Sequence, residues 1–250
     1  MNYKRTIINI IKLIPKLVYK PIRYLEAMLY DASYNDDDIP SPLKATHLGK
    51  ESYIVNNFDR EGIRILEIGS REVTGPSKLR RMIKNAEYVG FDYYDGKNVD
   101  ITGDVHYLSS YFDNKFDVIY STASFEHFAM PWLISEQISN ILKIGGQVVI
   151  ETHFSYRAHE RPWNFFQFSD LGLQVLFNRE MGFRCIDAGM SSPIRARFSI
   201  HAEKYLRLRP IGSMYAHSAF IGEKVEEYGD FTWDKVNMNK LVLNTQYPKL

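Results

Sequence analysis

The 250 residues are long enough to bury one sizeable core, and 45% hydrophobic with 24% charged residues is the composition of a globular protein. A formal net charge of +1 excludes a dedicated nucleic-acid binder, whose footprint would be strongly basic. Cys185 is the single cysteine, which excludes a disulfide framework and a cysteine zinc site and makes a reducing, cytoplasmic setting the expectation.

The first thirty residues carry Lys4, Arg5, Lys12, Lys16, Lys20 and Arg23 before the first acid, Glu26. Lysines interrupt the apolar runs too often for a bilayer span, and the longest run is too short for a secretory signal. Two readings stay open. One is a basic amphipathic segment lying on an anionic membrane surface, giving peripheral contact at the inner face of the membrane. The other is a helical lid or docking arm on the domain, and Pro15 and Pro21 argue against one continuous helix. Residues 32–43, ASYNDDDIPSPL, read as a linker. The expected organisation is an arm and linker over 1–44, a domain over 45–222 and a tail over 223–250.

Strand-like and helix-like segments then alternate. IRILEIG (63–69) reads as a buried strand, SKLRRMIKN (77–85) as a helix, AEYVGFDYY (86–94) and FDVIYSTA (116–123) as strands. PWLISEQISNILK (131–143) places Ile134, Ile138, Ile141 and Leu142 on one helical face and ends at Gly145-Gly146. QVVIET (147–152) reads as a strand, LGLQVLFNREMG (171–182) as a helix, FRCIDAGM (183–190) and YAHSAFIGEKV (215–225) as strands. Such alternation predicts an α/β fold with a mostly parallel sheet covered on both faces. Ligands of such sheets sit beyond the carboxyl ends of the strands, where Gly69, Asp92 and Ser121 fall.

A dinucleotide's pyrophosphate needs three glycines at fixed spacing, but ILEIGSREVTG offers Gly69 and then none before Gly75. S-adenosylmethionine has no phosphate and asks for less: one close backbone approach and an acid for its ribose hydroxyls. Its ammonium and sulfonium are helped by nearby acids. Asp92 ends the second strand, where a carboxylate can take both ribose hydroxyls. Asp104, in GDVHYL, can accept from the adenine amino group. Ser121 and Thr122 end the fourth strand, toward the methionine end.

ILEIGS, YVGFD, GDVHYL, FDVIYSTASFEHF and ILKIGGQVVIET together resemble the class I S-adenosylmethionine-dependent methyltransferases. The pattern is similar to the methyltransferase-type domain of bacterial enzymes acting on sugars, surface polysaccharides and secondary metabolites, over roughly residues 45–222. The resemblance implies a Rossmann-like, doubly wound, mostly parallel seven-stranded sheet with an antiparallel last strand. It also implies a cofactor set of Glu67, Gly69, Ser70, Asp92, Tyr93, Asp104, Val105 and Ser121. The family's second glycine, two positions after the first, is Arg71 here, a departure that bears on the turn.

Two stretches supply candidate catalytic groups. Glu126-His127 follows the fourth strand, and THFSYRAHERPWNFFQFS (152–169) follows the fifth. His159, His127 and Glu160 are the candidate bases, with His153 behind them. Histidine suits the role because its unperturbed pKa lies near neutrality. Trp163 and Phe166 offer an apolar wall for a sugar ring, unless the aromatic run is simply a lid. Many similar surface-sugar sequences have Asp after this Trp, where Asn164 stands. Arg195 and Arg197 could hold a phosphorylated acceptor. No histidine and carboxylate spacing matches a metal site, so no required metal is expected. The expected function is O-methylation of a sugar hydroxyl in surface-glycan or nucleotide-sugar metabolism. The alternative is a degenerate cofactor-fold scaffold docking membrane-associated glycan-biosynthesis machinery.

Overall fold

A computed structural model describes residues 39–73 and 75–237, with isolated positions 21–22, 24–25, 28–29 and 241. The basic positions of the arm, Lys4 to Lys20 and Arg23, lie outside the described residues. The described residues divide into two compact units: 39–193 with 215 onward, and 194–214 with the described positions before 39.

In chain order the elements are α1 (Lys50–Phe58), β1 (Arg64–Ile68), α2 (Lys78–Met82), β2 (Glu87–Asp92), β3 (Ile101–Thr102), β4 (Phe116–Thr122), α3 (Pro131–Ile141), β5 (Leu142–His153), α4 (Asp170–Leu176), β6 (Phe183–Arg197) and β7 (Pro210–Lys224). They form a seven-stranded sheet in the order β3-β2-β1-β4-β5-β7-β6. β1 pairs in parallel with β2 and β4, β2 with β3, and β4 with β5, whereas β7 runs antiparallel to β5. The mostly parallel sheet is what the alternation predicts, and its doubly wound, Rossmann-like topology of seven strands is what the family resemblance implies.

The near-continuous apolar runs of the strands follow from burial on both faces. Leu66, Ile68, Ile119, Val148, Ile150 and Phe220 pack on one side with Ile134, Ile138 and Ile141 of α3 and Leu173 of α4. Their alternates Ile65, Val118, Tyr120, Val149, Ala219 and Ile221 pack on the other with Ile54 of α1 and Leu79 of α2. Proline at the first helical position opens α3, where its missing N–H costs nothing.

Several boundaries differ from the sequence expectation. α3 stops at Ile141 instead of running to 143, because Leu142 already pairs with Phe116 and the chain enters β5 before the glycines. Gly145, at φ 79°, and Gly146 therefore lie inside the long strand, beside a register shift in β4. The predicted helix over 171–182 is split into α4 and a 3-10 turn at Arg179–Met181, separated by Asn178, whose side chain caps that turn. β6 and β7 both run past their predicted ends into the 194–214 unit. Among the described residues no helix is long and apolar enough to cross a membrane.

Candidate active site

β1, β2, β4 and β5 all deliver their carboxyl ends to one edge of the sheet, and the polar candidates emerge there. Gly69 turns the chain out of β1 with φ 78°, a left-handed conformation that glycine adopts without strain. A Cβ at Gly69 would stand 2.0 Å from Ser124 Oγ, so the loop after β4 presses against this turn. The N–H groups of Gly69 and Ser70 are both bound by the Phe91 carbonyl, at 2.9 and 3.1 Å. The buried Ser70 hydroxyl donates to the Asn98 carbonyl at 2.9 Å.

Glu67, next to last in β1, is buried and accepts from Ser77 Oγ at 3.1 Å and from the Tyr88 hydroxyl. Burial pushes its carboxyl up to about 7, against the opposing pull of those two hydroxyls.

Asp92 sits at the end of β2 with its carboxylate 14% exposed. It accepts from the backbone N–H of Arg71 at 3.2 Å and of Tyr94 at 3.0 Å, and from Arg71 Nε at 3.4 Å. The departure at position 71 thus has a definite partner: the guanidinium lies against the carboxylate expected to take the ribose, and over the Tyr94 ring at 5.4 Å. Tyr93 is exposed. Asp104 caps the 3-10 turn Val105–Tyr111, accepting from His106 N–H at 2.9 Å with its ring Nδ1 at 2.6 Å. Val105 is buried beneath it. Ser121 is buried and donates its hydroxyl to the Ile68 carbonyl at 3.0 Å, tying β4 to β1.

The turn after β4 carries the second set. Ala123 has φ 47°, and the 3-10 turn Phe125–His127 places Glu126 wholly inside the protein and His127 at its mouth. The aromatic segment straps across this turn: the N–H groups of Phe165 and Phe166 both donate to the Glu126 carbonyl, at 2.8 and 3.2 Å. His127 Nδ1 donates to the Trp163 carbonyl at 2.7 Å. His127 Nε2 stands 3.6 Å from Glu160 Oε2, and the His127 and His159 rings meet edge to face at 4.9 Å. Glu160 itself has φ 50°, a strained conformation for a side chain of its size and one that clusters at functional sites. Trp163 is 60% exposed, whereas Phe166 packs at the edge of the core against Trp132 and Phe168.

His127, His159, Glu160 and Trp163 are therefore brought together. Arg195 and Arg197 belong to the 194–214 unit. Sequence reasoning passed over His47, Glu151 and His217. Glu151 is buried at the end of β5 with His47 Nδ1 at 2.9 Å and Lys50 Nζ at 3.2 Å, and His217 stacks on His47 at 4.3 Å. The β5–β7 register sets His217 opposite His153, a juxtaposition no local spacing reveals.

These residues fit S-adenosylmethionine: a turn that admits no Cβ, a carboxylate at the end of β2, and an acid at the start of the following turn. The fold is that of the S-adenosylmethionine-dependent methyltransferases, and a family model shows the membership. The sequence model described as "Methyltransferase domain" matches residues 49–184, more than half of the chain, which belongs to that family. No curated protein matches the sequence. The fold is similar to that of YcgJ from Bacillus subtilis, at 15% identity and TM-score 0.50 over 70% of this chain and 98% of that one. A SAM-dependent methyltransferase from Archaeoglobus fulgidus matches at 17% identity and TM-score 0.49, over 70% and 93% of the two chains. The 1,6-didemethyltoxoflavin-N1-methyltransferase of Burkholderia thailandensis, solved with its acceptor and S-adenosylhomocysteine, matches at 12% identity and TM-score 0.49, over 70% and 76%.

Glu67 gives the site a pH signature. Its folded pKa of about 7 exceeds the ordinary 4.5, so between those values the folded protein holds this proton more tightly than the unfolded chain. The stability it contributes is complete below about pH 4.5 and is lost as pH rises through 7, a change of about 3 kcal/mol. Glu67→Gln abolishes that dependence. Urea unfolding at pH 5 and pH 8 should show the variant gaining about 2–3 kcal/mol on the wild type at the higher pH, and a difference that does not move with pH would contradict it.

Proposed function

We propose that the chain methylates a hydroxyl of a sugar acceptor, free in a surface glycan precursor or carried on a nucleotide. The observation that carries this reading is the grouping of His127, Glu160, His159 and the exposed Trp163 beyond the ends of β4 and β5. S-adenosylmethionine, when bound, supplies an electrophilic methyl group and leaves as the neutral thioether. The work of this chain is then to position an acceptor oxygen, exclude water and take one proton. Positioning alone is worth on the order of 7–11 kcal/mol.

The base is His127. Because a carbonyl only accepts, the Trp163 contact fixes the proton on Nδ1 and leaves the Nε2 lone pair available. As the acceptor oxygen bonds to the methyl carbon, its proton passes to Nε2, and Glu160 at 3.6 Å stabilises the resulting imidazolium. His159 lines the same face. Trp163 gives a sugar ring an apolar surface. Phe166 supports this wall from beneath.

The N-terminal arm is assigned to an anionic membrane surface, which would bring a cytoplasmic enzyme to a membrane-associated acceptor. Ile22, Tyr24, Leu25, Met28 and Leu29 are helical and exposed, an apolar set with no need to face water.

Two measurements check these assignments. Transfer of labelled methyl from S-adenosylmethionine to a panel of nucleotide sugars should give an alkali-stable O-methyl sugar, with His127→Ala slower by about 10²–10⁴-fold. Label entering only amines, or a His127→Ala variant with wild-type rate, would overturn the reading. In flotation with phosphatidylserine vesicles the full chain should associate at low salt and be released near 0.5 M salt, on the order of a 4 Å Debye length. Equal flotation by a chain lacking residues 1–23 would refute the role of the arm.

A further inference from the structure

Five of the seven histidines, His47, His127, His153, His159 and His217, line the acceptor side of the sheet around two buried glutamates. The two glutamates differ in how their charge is met. Glu151 is satisfied within the protein, by His47, by the Thr122 hydroxyl at 3.3 Å and by the buried ammonium of Lys50. No lysine or arginine is paired with Glu126 among the described ion pairs. Its Oε2 accepts from Thr152 Oγ1 at 2.5 Å, and His153 Nδ1 lies 2.7 Å from the fully buried Oε1. Two lone pairs do not face each other at that distance, so either a proton or a metal ion joins them, and a buried carboxylate with no lysine or arginine beside it favours the added cation.

The surrounding rings present lone pairs rather than protons. His127 and His159 each face a backbone carbonyl through Nδ1, that of Trp163 at 2.7 Å and that of Arg157 at 3.1 Å. A carbonyl only accepts, so both neutral rings carry their proton on Nδ1 and expose a bare Nε2. His127 Nε2 stands 3.9 Å from Glu126 Oε1. A carbonyl at Nδ1, as His159 has, is the usual outer-shell arrangement of a metal-ligating imidazole and leaves Nε2 for an ion. One ligand atom each from Glu126, His153 and His159 lies within 4.8 Å of the others. Atoms around zinc at about 2.0–2.2 Å stand roughly 3–3.5 Å apart, within reach of side-chain adjustment.

We infer that Glu126, His153 and His159 hold a divalent transition-metal ion of the zinc type beside the acceptor. Two imidazoles and one carboxylate leave open positions, and that ligand set suits zinc, cobalt and manganese better than magnesium or calcium. Tyr156, stacked on His153 at 4.3 Å, holds that ring in place. What the ion does rests on the methyl-transfer reading: a sugar hydroxyl in an open position would be oriented and made more acidic next to His127. Binding of the ion does not depend on that reading.

The probe is cobalt(II), with zinc as competitor, on untagged full-length protein. Equilibrium dialysis with excess metal should give one equivalent bound, with visible d–d absorption bleached by zinc. Glu126→Gln and the half-exposed His159→Ala should each weaken binding at least tenfold, whereas His217→Ala, in the cluster that Lys50 satisfies, should not. S-adenosylhomocysteine affinity, measured alongside, separates the two readings. Cofactor binding with no cobalt bound would overturn the metal site alone, and cobalt bound with no cofactor affinity would leave the site standing while the methyl-transfer reading fell. Wild-type cobalt affinity in His159→Ala, provided its thermal unfolding is unchanged, would also overturn the site.

Discussion

Parallel pairing of β4 with β1 on one side and β5 on the other sets the level at which Gly69, Ser121, Glu126 and His153 emerge. Ile68 lies opposite Ser121, and Ser121 opposite Ile150, so the turns that follow these strands begin side by side. The Ser121 hydroxyl, donated to the Ile68 carbonyl, fastens two of them at that level. From there Gly69 turns one way and Ala123 the other, and Ser124 meets the face of Gly69 where any Cβ would collide. The cofactor side and the acceptor side are thus two consequences of one register.

The two sides are built by different electrostatics. On the cofactor side the acids already have partners: Asp92 has Arg71 and two backbone N–H groups, Asp104 has His106, and Glu67 has two hydroxyls. Arg71, where the family has a glycine, gives Asp92 a cation, which ribose hydroxyls expected at that carboxylate would have to share or displace. On the proposed acceptor side the buried Glu126 is met by Thr152 and His153 with no lysine or arginine beside it, and His127 and His159 have lone pairs to give. A buried acid among imidazoles suits a cation, while a well-partnered rim suits a polar but phosphate-free ligand.

The strands were legible because burial on both faces demands unbroken apolar runs, as in IRILEI and FDVIYS. α1 was not legible, since KESYIVNNF buries little beyond Ile54 and its Lys50 and Glu51 are inside for the sake of Glu151 and Tyr120. Gly145-Gly146 read as a helix stop, yet the helix had already ended at the residue that pairs with Phe116. Asp92 and Gly69 could be placed from local order alone. The histidine cluster could not, because His153 meets His217 through an antiparallel register and His159 through a loop that folds back over the 3-10 turn. Spacing along the chain says nothing of either, which is why the sequence suggested no metal.

We propose that the strand-end cradle holds an adenosyl cofactor through Asp92 in spite of Arg71. Calorimetric titration of the wild type and Asp92→Ala with S-adenosylhomocysteine tests it most directly. Binding by the wild type with at least tenfold weaker binding by the variant, about 1.4 kcal/mol, is the predicted result. No binding by the wild type, or equal binding by both, would contradict it.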